Sequence, residues 1–267
     1  MNKKVIYAIS GKANSGKDTI ASIILYLSIK GFADDINFEE QYLEWYYNRN
    51  KYKSLHNNLH FADNLKKSLA LLFDIDKNVF DDRYKKDNFY LKLSDYELVD
   101  KKELIEGKEL INEKDIEELN NSTIIINEDL EDMYMDDYIY HLNKLNYKNI
   151  YINIRTLMQY FGTNICRNII DENIWIKSLL KKVNRLYDDV ICISDVRFKN
   201  EQEALLKLEE TNNYKIVTIK TIRPDNQNNG SHESERIDFD CNYEITCEDL
   251  RTLFRTIKAI YYENSIS

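Results

Sequence analysis

The 267 residues predict an α/β fold in three layers: a five-stranded parallel sheet with helices on both faces, plus a mostly helical acidic insertion. Three observations carry that prediction. Two short, continuous apolar runs, residues 5–9 and 190–194, have the length and β-branched content of strands buried on both faces. Segments with apolar residues at helical spacing follow both runs, which is the alternation of a parallel sheet. Six glycines and one proline amount to about a fifth of the roughly 12% these two residues usually make up. So few chain-turning residues exclude a turn-rich sandwich, a collagen-like repeat and low-complexity linkers.

In chain order, residues 5–9 (VIYAI) form the first strand and end at Ser10-Gly11. From Lys17, apolar Ile20, Ile23, Ile24 and Leu27 recur at helical spacing until Gly31. Residues 59–62 (LHFA) read as a second strand, followed by a helix over 63–73 with Leu65, Leu69 and Leu72 on one face. The following stretch is polar, acidic and without a sustained period, so residues 75–150 read as an inserted lobe. A helical pattern resumes near Asn149 through Leu157, Tyr160 and Phe161, and another runs through Ile174, Leu179, Leu180 and Val183. Residues 190–194 (VICIS) are a central strand, 201–209 a helix, 215–219 and 242–246 strands, and 250–261 a closing helix.

Formal charge is −9, but residues 95–140 alone carry −12 and the remainder +3. A near-neutral to basic body suits a small phosphorylated substrate. No dense Lys/Arg stripe appears that would neutralise a polynucleotide backbone, so nucleic acid is not an expected partner. Neither is a membrane, because no apolar run reaches 18 residues and no signal-peptide pattern follows Met1; the expected location is the cytoplasm, the host's if the chain is viral. Cys166, Cys192, Cys241 and Cys247 lack the spacing of metal ligands or redox pairs and read as reduced thiols. Four scattered histidines build no metal site.

Residues 11–17 (GKANSGK) match G-x-x-x-x-G-K between the first predicted strand and the first predicted helix. Chance supplies roughly 0.02 such matches in a chain of this composition, before that context is required. The glycines Gly11 and Gly16, with Asn14 and Ser15, let successive backbone N–H groups turn toward phosphate oxygens, and the helix adds its positive end. Lys17 supplies a cation for the terminal phosphates of ATP. Asp18 stands where this pattern has Ser or Thr, whose hydroxyl meets Mg²⁺. It is a candidate to hold the ion through water, with the Thr19 hydroxyl left for a phosphate.

The stretch Ser15-Gly16-Lys17-Asp18-Thr19 resembles the deoxynucleoside monophosphate kinases of bacteriophages, a branch of the P-loop NTPase and nucleoside monophosphate kinase fold. Residues 155–163 (RTLMQYFGT), Trp175 with Lys177, and Asp195, Arg197 and Glu201 are similar to further motifs of that family, in the same order. Residues 61–66 (FADNLK) resemble its A-x-P-[LI]-K turn, with Asn64 in place of proline. Residues 222–224 and 231–235 are similar to its late R-P and H-x-[ST]-E elements, and 95–140 match none of its motifs.

The resemblance implies one P-loop kinase domain over 1–267 that moves the γ-phosphoryl group of ATP to a deoxynucleoside 5′-monophosphate. Lys17, Arg197 and Arg223 would be catalytic. Leu65, Lys66, Arg83, Arg155 and Arg197 would line the acceptor phosphate, while Gly162, Thr163 and Trp175 would form the base pocket. Asp195 would serve the sugar, the metal's waters or the orientation of Arg197, and Glu201 the 3′-hydroxyl. Residues 223–240, with Pro224, Gly230, His232 and Arg236, resemble a lid over ATP. Two other readings stay open: a P-loop kinase with another phosphorylated acceptor, since animal-type phosphomevalonate kinase shares the S-G-K-D loop, and a non-catalytic nucleotide-binding module. A homodimer is also left open.

Overall fold

The computed structural model describes residues 3–12, 14–30, 37–48, 58–106, 123–126, 149–211, 213–223, 239–246 and 249–265. They divide into two compact units, one from residues 1–63 and 173–267 and the other from 64–172.

In the first unit, β1 (Lys4–Ser10), β2 (Asn58–Leu59), β7 (Val190–Val196), β8 (Tyr214–Ile222) and β9 (Tyr243–Thr246) form a sheet in the order β2-β7-β1-β8-β9. Every pairing is parallel. Residues 5–10 are buried throughout, as a strand covered on both faces requires. The chain leaves β1 toward β2 and β7 on one side, then crosses to β8 on the other, so β1 marks the switch point at whose carboxyl end a parallel sheet binds ligands.

Helix α1 (Lys17–Lys30) is buried at every residue from 20 to 27, so it is enclosed and not merely one-faced. It shares a core with β1 and the last helix through Tyr7, Ile23, Leu27, Phe254 and Ile257. A further helix, α2 (Phe38–Asn48), has no counterpart in the sequence reading. Tyr42 and Trp45 on it meet Tyr26 edge-on, with ring centroids 5.6 and 5.4 Å apart. Strand β2 stops after two residues instead of running to residue 62. The Phe61 and Ala62 N–H groups donate to the Asp195 carboxylate at 2.8 and 3.2 Å and are therefore lost to the ladder.

The second unit departs from the expected mostly helical insertion. After α3 (Asp63–Phe73), α4 (Asn78–Asp81) and α5 (Arg83–Asn88) come strands β3 (Phe89–Lys92) and β4 (Leu98–Asp100), short helix α6 (Lys101–Glu106), then β5 (Thr123–Ile126) and β6 (Asn149–Asn153). They form a sheet in the order β4-β3-β6-β5, antiparallel except for the parallel β5–β6 pair. The helix expected from Asn149 starts five residues later, because residues 149–153 pair with both neighbours. Asn153 then caps α7 (Ile154–Gln159), its side chain accepting from the Arg155 and Thr156 N–H groups at 2.9 and 3.4 Å. Helix α7 runs on as a π-helical segment, Tyr160–Ile170, a geometry that is rare and frequently placed at functional sites. In the first unit again lie α8 (Ile174–Val183), α9 (Lys199–Leu206) with a 3-10 segment after it (Lys207–Thr211), and α10 (Leu250–Ser265).

Candidate active site

The phosphate loop joins β1 to α1. Gly11 (φ +152°) and Gly16 (φ +96°) adopt backbone conformations that side chains rarely take, and Asn14 is left-handed at φ +61°. A Cβ on Gly11 would lie 2.4 Å from Ser15 Oγ and 2.7 Å from the Thr221 carbonyl oxygen, so the loop is pressed against β8 there. Thr221 Oγ1 donates to the Ser15 carbonyl at 2.7 Å and fixes that approach. Gly11→Ala is expected to cost about 2–4 kcal/mol by urea unfolding and to raise the ATP KM. Gly162→Ala, whose Cβ would meet the Cδ2 of buried Leu65 at 2.8 Å but no backbone atom, is expected to cost about 1–3 kcal/mol.

Lys17 is buried, and its Nζ donates to the Gly11 and Lys12 carbonyls at 2.5 Å each. The Ser15 hydroxyl is also buried and has no hydrogen-bond partner among the described residues, which suits a phosphate oxygen. Arg223, at the end of β8, donates through its guanidinium to the Asn14 carbonyl at 3.4 Å. Lys17, Asn14, Ser15, Gly16 and Arg223 are therefore brought to one loop. Pro224, Gly230, His232 and Arg236, with most of the expected lid, and Cys247 lie outside the described residues.

Beside the loop sits a network that the sequence reading missed. Asp18 Oδ1 accepts from Ser194 Oγ at 2.7 Å, and His60 Nε2 lies 2.9 Å from Ser194 Oγ and 3.3 Å from Asp18 Oδ1. On its other side, His60 Nδ1 stands 3.5 Å from Asp63 Oδ1, and Lys182 Nζ donates to Asp63 Oδ2 at 3.1 Å. His60 has no motif to mark it, and Asp18 and Ser194, its partners on one side, come from other parts of the chain.

Burial alone would lower the His60 pKa, but its bonds to Asp18 and Asp63 and the nearby Asp195 charge push it up to about 10. Protein atoms packed near Asp18 and Asp63 displace water and would raise both, yet the histidine bonds hold both well below the usual carboxylate range, with Ser194 also lowering Asp18 and Lys182 also lowering Asp63. A raised histidine contributes stability that is complete below its ordinary value of 6.5 and lost as pH rises through about 10. The melting temperature is therefore expected to fall more steeply from pH 6.5 to 10 in the parent than in His60→Gln. Parallel curves would refute the charged bridge.

At the end of β7, Asp195 gives both carboxylate oxygens to the Phe61 and Ala62 N–H groups, tying β7 to the turn after β2. Glu201 is buried and reaches back to accept the Arg197 and Phe198 N–H groups at 2.9 and 3.1 Å, which caps α9. Trp175 is buried in the first turn of α8. Asn200 Nδ2 lies 3.2 Å from Asn173 Oδ1, so the start of α9, just after Arg197, adjoins the start of α8.

Within the second unit, Gly162 lies against Leu65. Arg155 donates through Nε and a terminal nitrogen to Asp87 Oδ1 at 2.7 and 2.5 Å, and Arg83 Nε stands 3.8 Å from the other oxygen. Lys66 Nζ donates to Asp81 at 2.9 Å. Thr163 follows Gly162 in the π-helical segment and is half-buried. Lys86, absent from the sequence reading, joins these cations. Its burial, with the charges of Lys66 and Arg155, lowers it to about 8. Burial is the larger cause, and the nearby Asp81 and Asp87 charges work against it. Arg167, also unforeseen, is buried in the π-helical segment.

No three His, Cys, Asp or Glu side chains among the described residues could together hold a metal ion. Cys166 and Cys192 are buried free thiols, and Cys241 is a half-buried one. No described helix is long and apolar enough to cross a membrane.

Residues 4–237 match a family model described as deoxynucleotide monophosphate kinase. A deoxynucleoside-5′-monophosphate kinase of Escherichia phage T5 is 34% identical to this chain over 71 residues. The matched segment is 27% of this chain and 27% of that enzyme, so the chain spans about a quarter of the length of the curated relative it matches.

Proposed function

Since the chain belongs to the deoxynucleotide monophosphate kinase family, we propose that it transfers the γ-phosphoryl group of ATP to a deoxynucleoside 5′-monophosphate, giving ADP and the deoxynucleoside diphosphate. The observation that carries this reading is the phosphate loop, with buried Lys17 held on its carbonyls and Arg223 at its rim.

An oxygen of the acceptor monophosphate attacks the γ-phosphorus, the bond to the β-bridging oxygen breaks, and ADP leaves. The acceptor is already an anion at neutral pH, so the protein has little proton transfer to perform. Its work is positioning and neutralising charge. Lys17, with the N–H groups of residues 14–19, takes the β- and γ-phosphates, and Ser15 Oγ donates to one of their oxygens. Arg223 and Arg197 stabilise the charge that spreads over the transferring group. Lys66, Lys86 and Arg155 take the acceptor phosphate, Arg155 exchanging Asp87 for the ligand, with Arg83 beside it. Gly162, Thr163 and Leu65, which lie together in the second unit, receive the nucleoside.

The residues also fit Mg²⁺, which keeps several waters and takes one or two carboxylates plus substrate phosphates. Asp18 fits, since its carboxylate is 78% exposed beside the loop lysine. The ion would supply charge neutralisation on the nucleotide phosphates. An ADP-release assay across the four deoxynucleoside monophosphates and phosphomevalonate tests the reading. Turnover is expected with at least one deoxynucleotide, and turnover confined to phosphomevalonate refutes it.

A further inference from the structure

Phosphate loops that bind a magnesium nucleotide place a hydroxyl directly after the loop lysine and an acid at the end of the adjacent strand, and the two meet at the metal. Here the loop carries the acid, Asp18. The end of neighbouring strand β7 carries a hydroxyl, Ser194, which is buried and donates to Asp18 Oδ1 at 2.7 Å. The strand's own acid, Asp195, is not available in Ser194's place. Adjacent strand residues point to opposite sides, and both Asp195 oxygens already accept from Phe61 and Ala62.

We propose that Asp18 and Ser194 are the usual hydroxyl–carboxylate pair with its ends exchanged, Asp18 acting as the acid toward the metal's water shell and Ser194 as the hydroxyl that orients it. His60 holds both members, at 3.3 and 2.9 Å, and so positions the pair. The inference rests on the nucleotide-binding reading above and adds Ser194 and His60 to it. An exchanged pair makes a demand that two independent side chains do not. Exchanging the ends back restores the set of groups, and His60 still finds a carboxylate beside it.

The test is binding of Mn²⁺, in place of Mg²⁺, to the full chain with saturating ADP, followed by the paramagnetic signal of free manganese. Asp18→Ser and Ser194→Asp singly are each expected to weaken Mn²⁺ about tenfold or more. The double variant Asp18→Ser/Ser194→Asp is expected to return to within about threefold of the parent. Losses that multiply in the double variant overturn the proposal. Ser194 is buried, so each variant is first checked for a cooperative melt. Should Ser194→Asp not fold, Asp18→Asn and Ser194→Ala replace it. Each is expected to lose about tenfold in Mn²⁺ affinity while ADP affinity in chelator is unchanged, and unchanged Mn²⁺ affinity in either overturns the pair. A parent protein that binds no ADP overturns the underlying reading as well, whereas a parent that binds Mn²⁺–ADP alongside unaffected variants overturns the exchanged pair alone.

Discussion

Lys17→Ala is expected to lower kcat by about 10³-fold or more, the scale seen when one preorganised charge on a transferring group is removed. The lysine is buried in the loop and its Nζ donates to the Gly11 and Lys12 carbonyls, which holds the cation at the loop. Truncation also strips those carbonyls of a donor, at about 1–2 kcal/mol of stability, which urea unfolding measures separately. Lys17→Arg is expected to recover little. A planar guanidinium does not fit a turn built around a compact ammonium. If Lys17→Ala kept more than a tenth of the parent turnover, the loop would not be the donor site.

Arg155→Ala is expected to raise the KM for the deoxynucleoside monophosphate by about 100-fold while leaving the ATP KM within about threefold. The guanidinium sits on Asp87 through two nitrogens and belongs to the same group of charges as Lys66 and Lys86. Arg155→Lys keeps the charge without the fork and is expected to fall between. A rise in the ATP KM instead, with the acceptor KM unmoved, would place Arg155 on the donor and contradict its assignment here.

What could be read from the sequence follows from how local each feature is. The phosphate loop was legible because its glycines, lysine and helix start lie within a few consecutive residues. Strands β1 and β7 were legible because both their faces are apolar. Residues 149–153 were misread because their apolar residues run on into those of α7, and only pairing with β3 and β5 makes them a strand. Helix α2 carries Tyr42, Trp45 and Tyr46 at helical spacing among charged residues, a pattern the sequence itself displays. The His60 bridge is the opposite case: Asp63 lies only three residues along, but Asp18 and Ser194 reach His60 only through the parallel order of β2, β7 and β1. Asp87 likewise shows its hold on Arg155 only once α5 and α7 are folded. Lys86 stands next to Lys85 in sequence, and only its partial burial near Lys66 and Arg155 in the fold sets it apart.

Phosphoryl transfer to a deoxynucleotide is tested most directly by following the label from ATP carrying ³²P in its γ-phosphate, in the presence of Mg²⁺ and each of the four deoxynucleoside monophosphates in turn. The predicted result is label in the β-phosphate of a deoxynucleoside diphosphate, in equal amount to the ADP formed and lost in Lys17→Ala. Label released only as inorganic phosphate, or retained in ATP with all four acceptors while ATP remains bound, would contradict it.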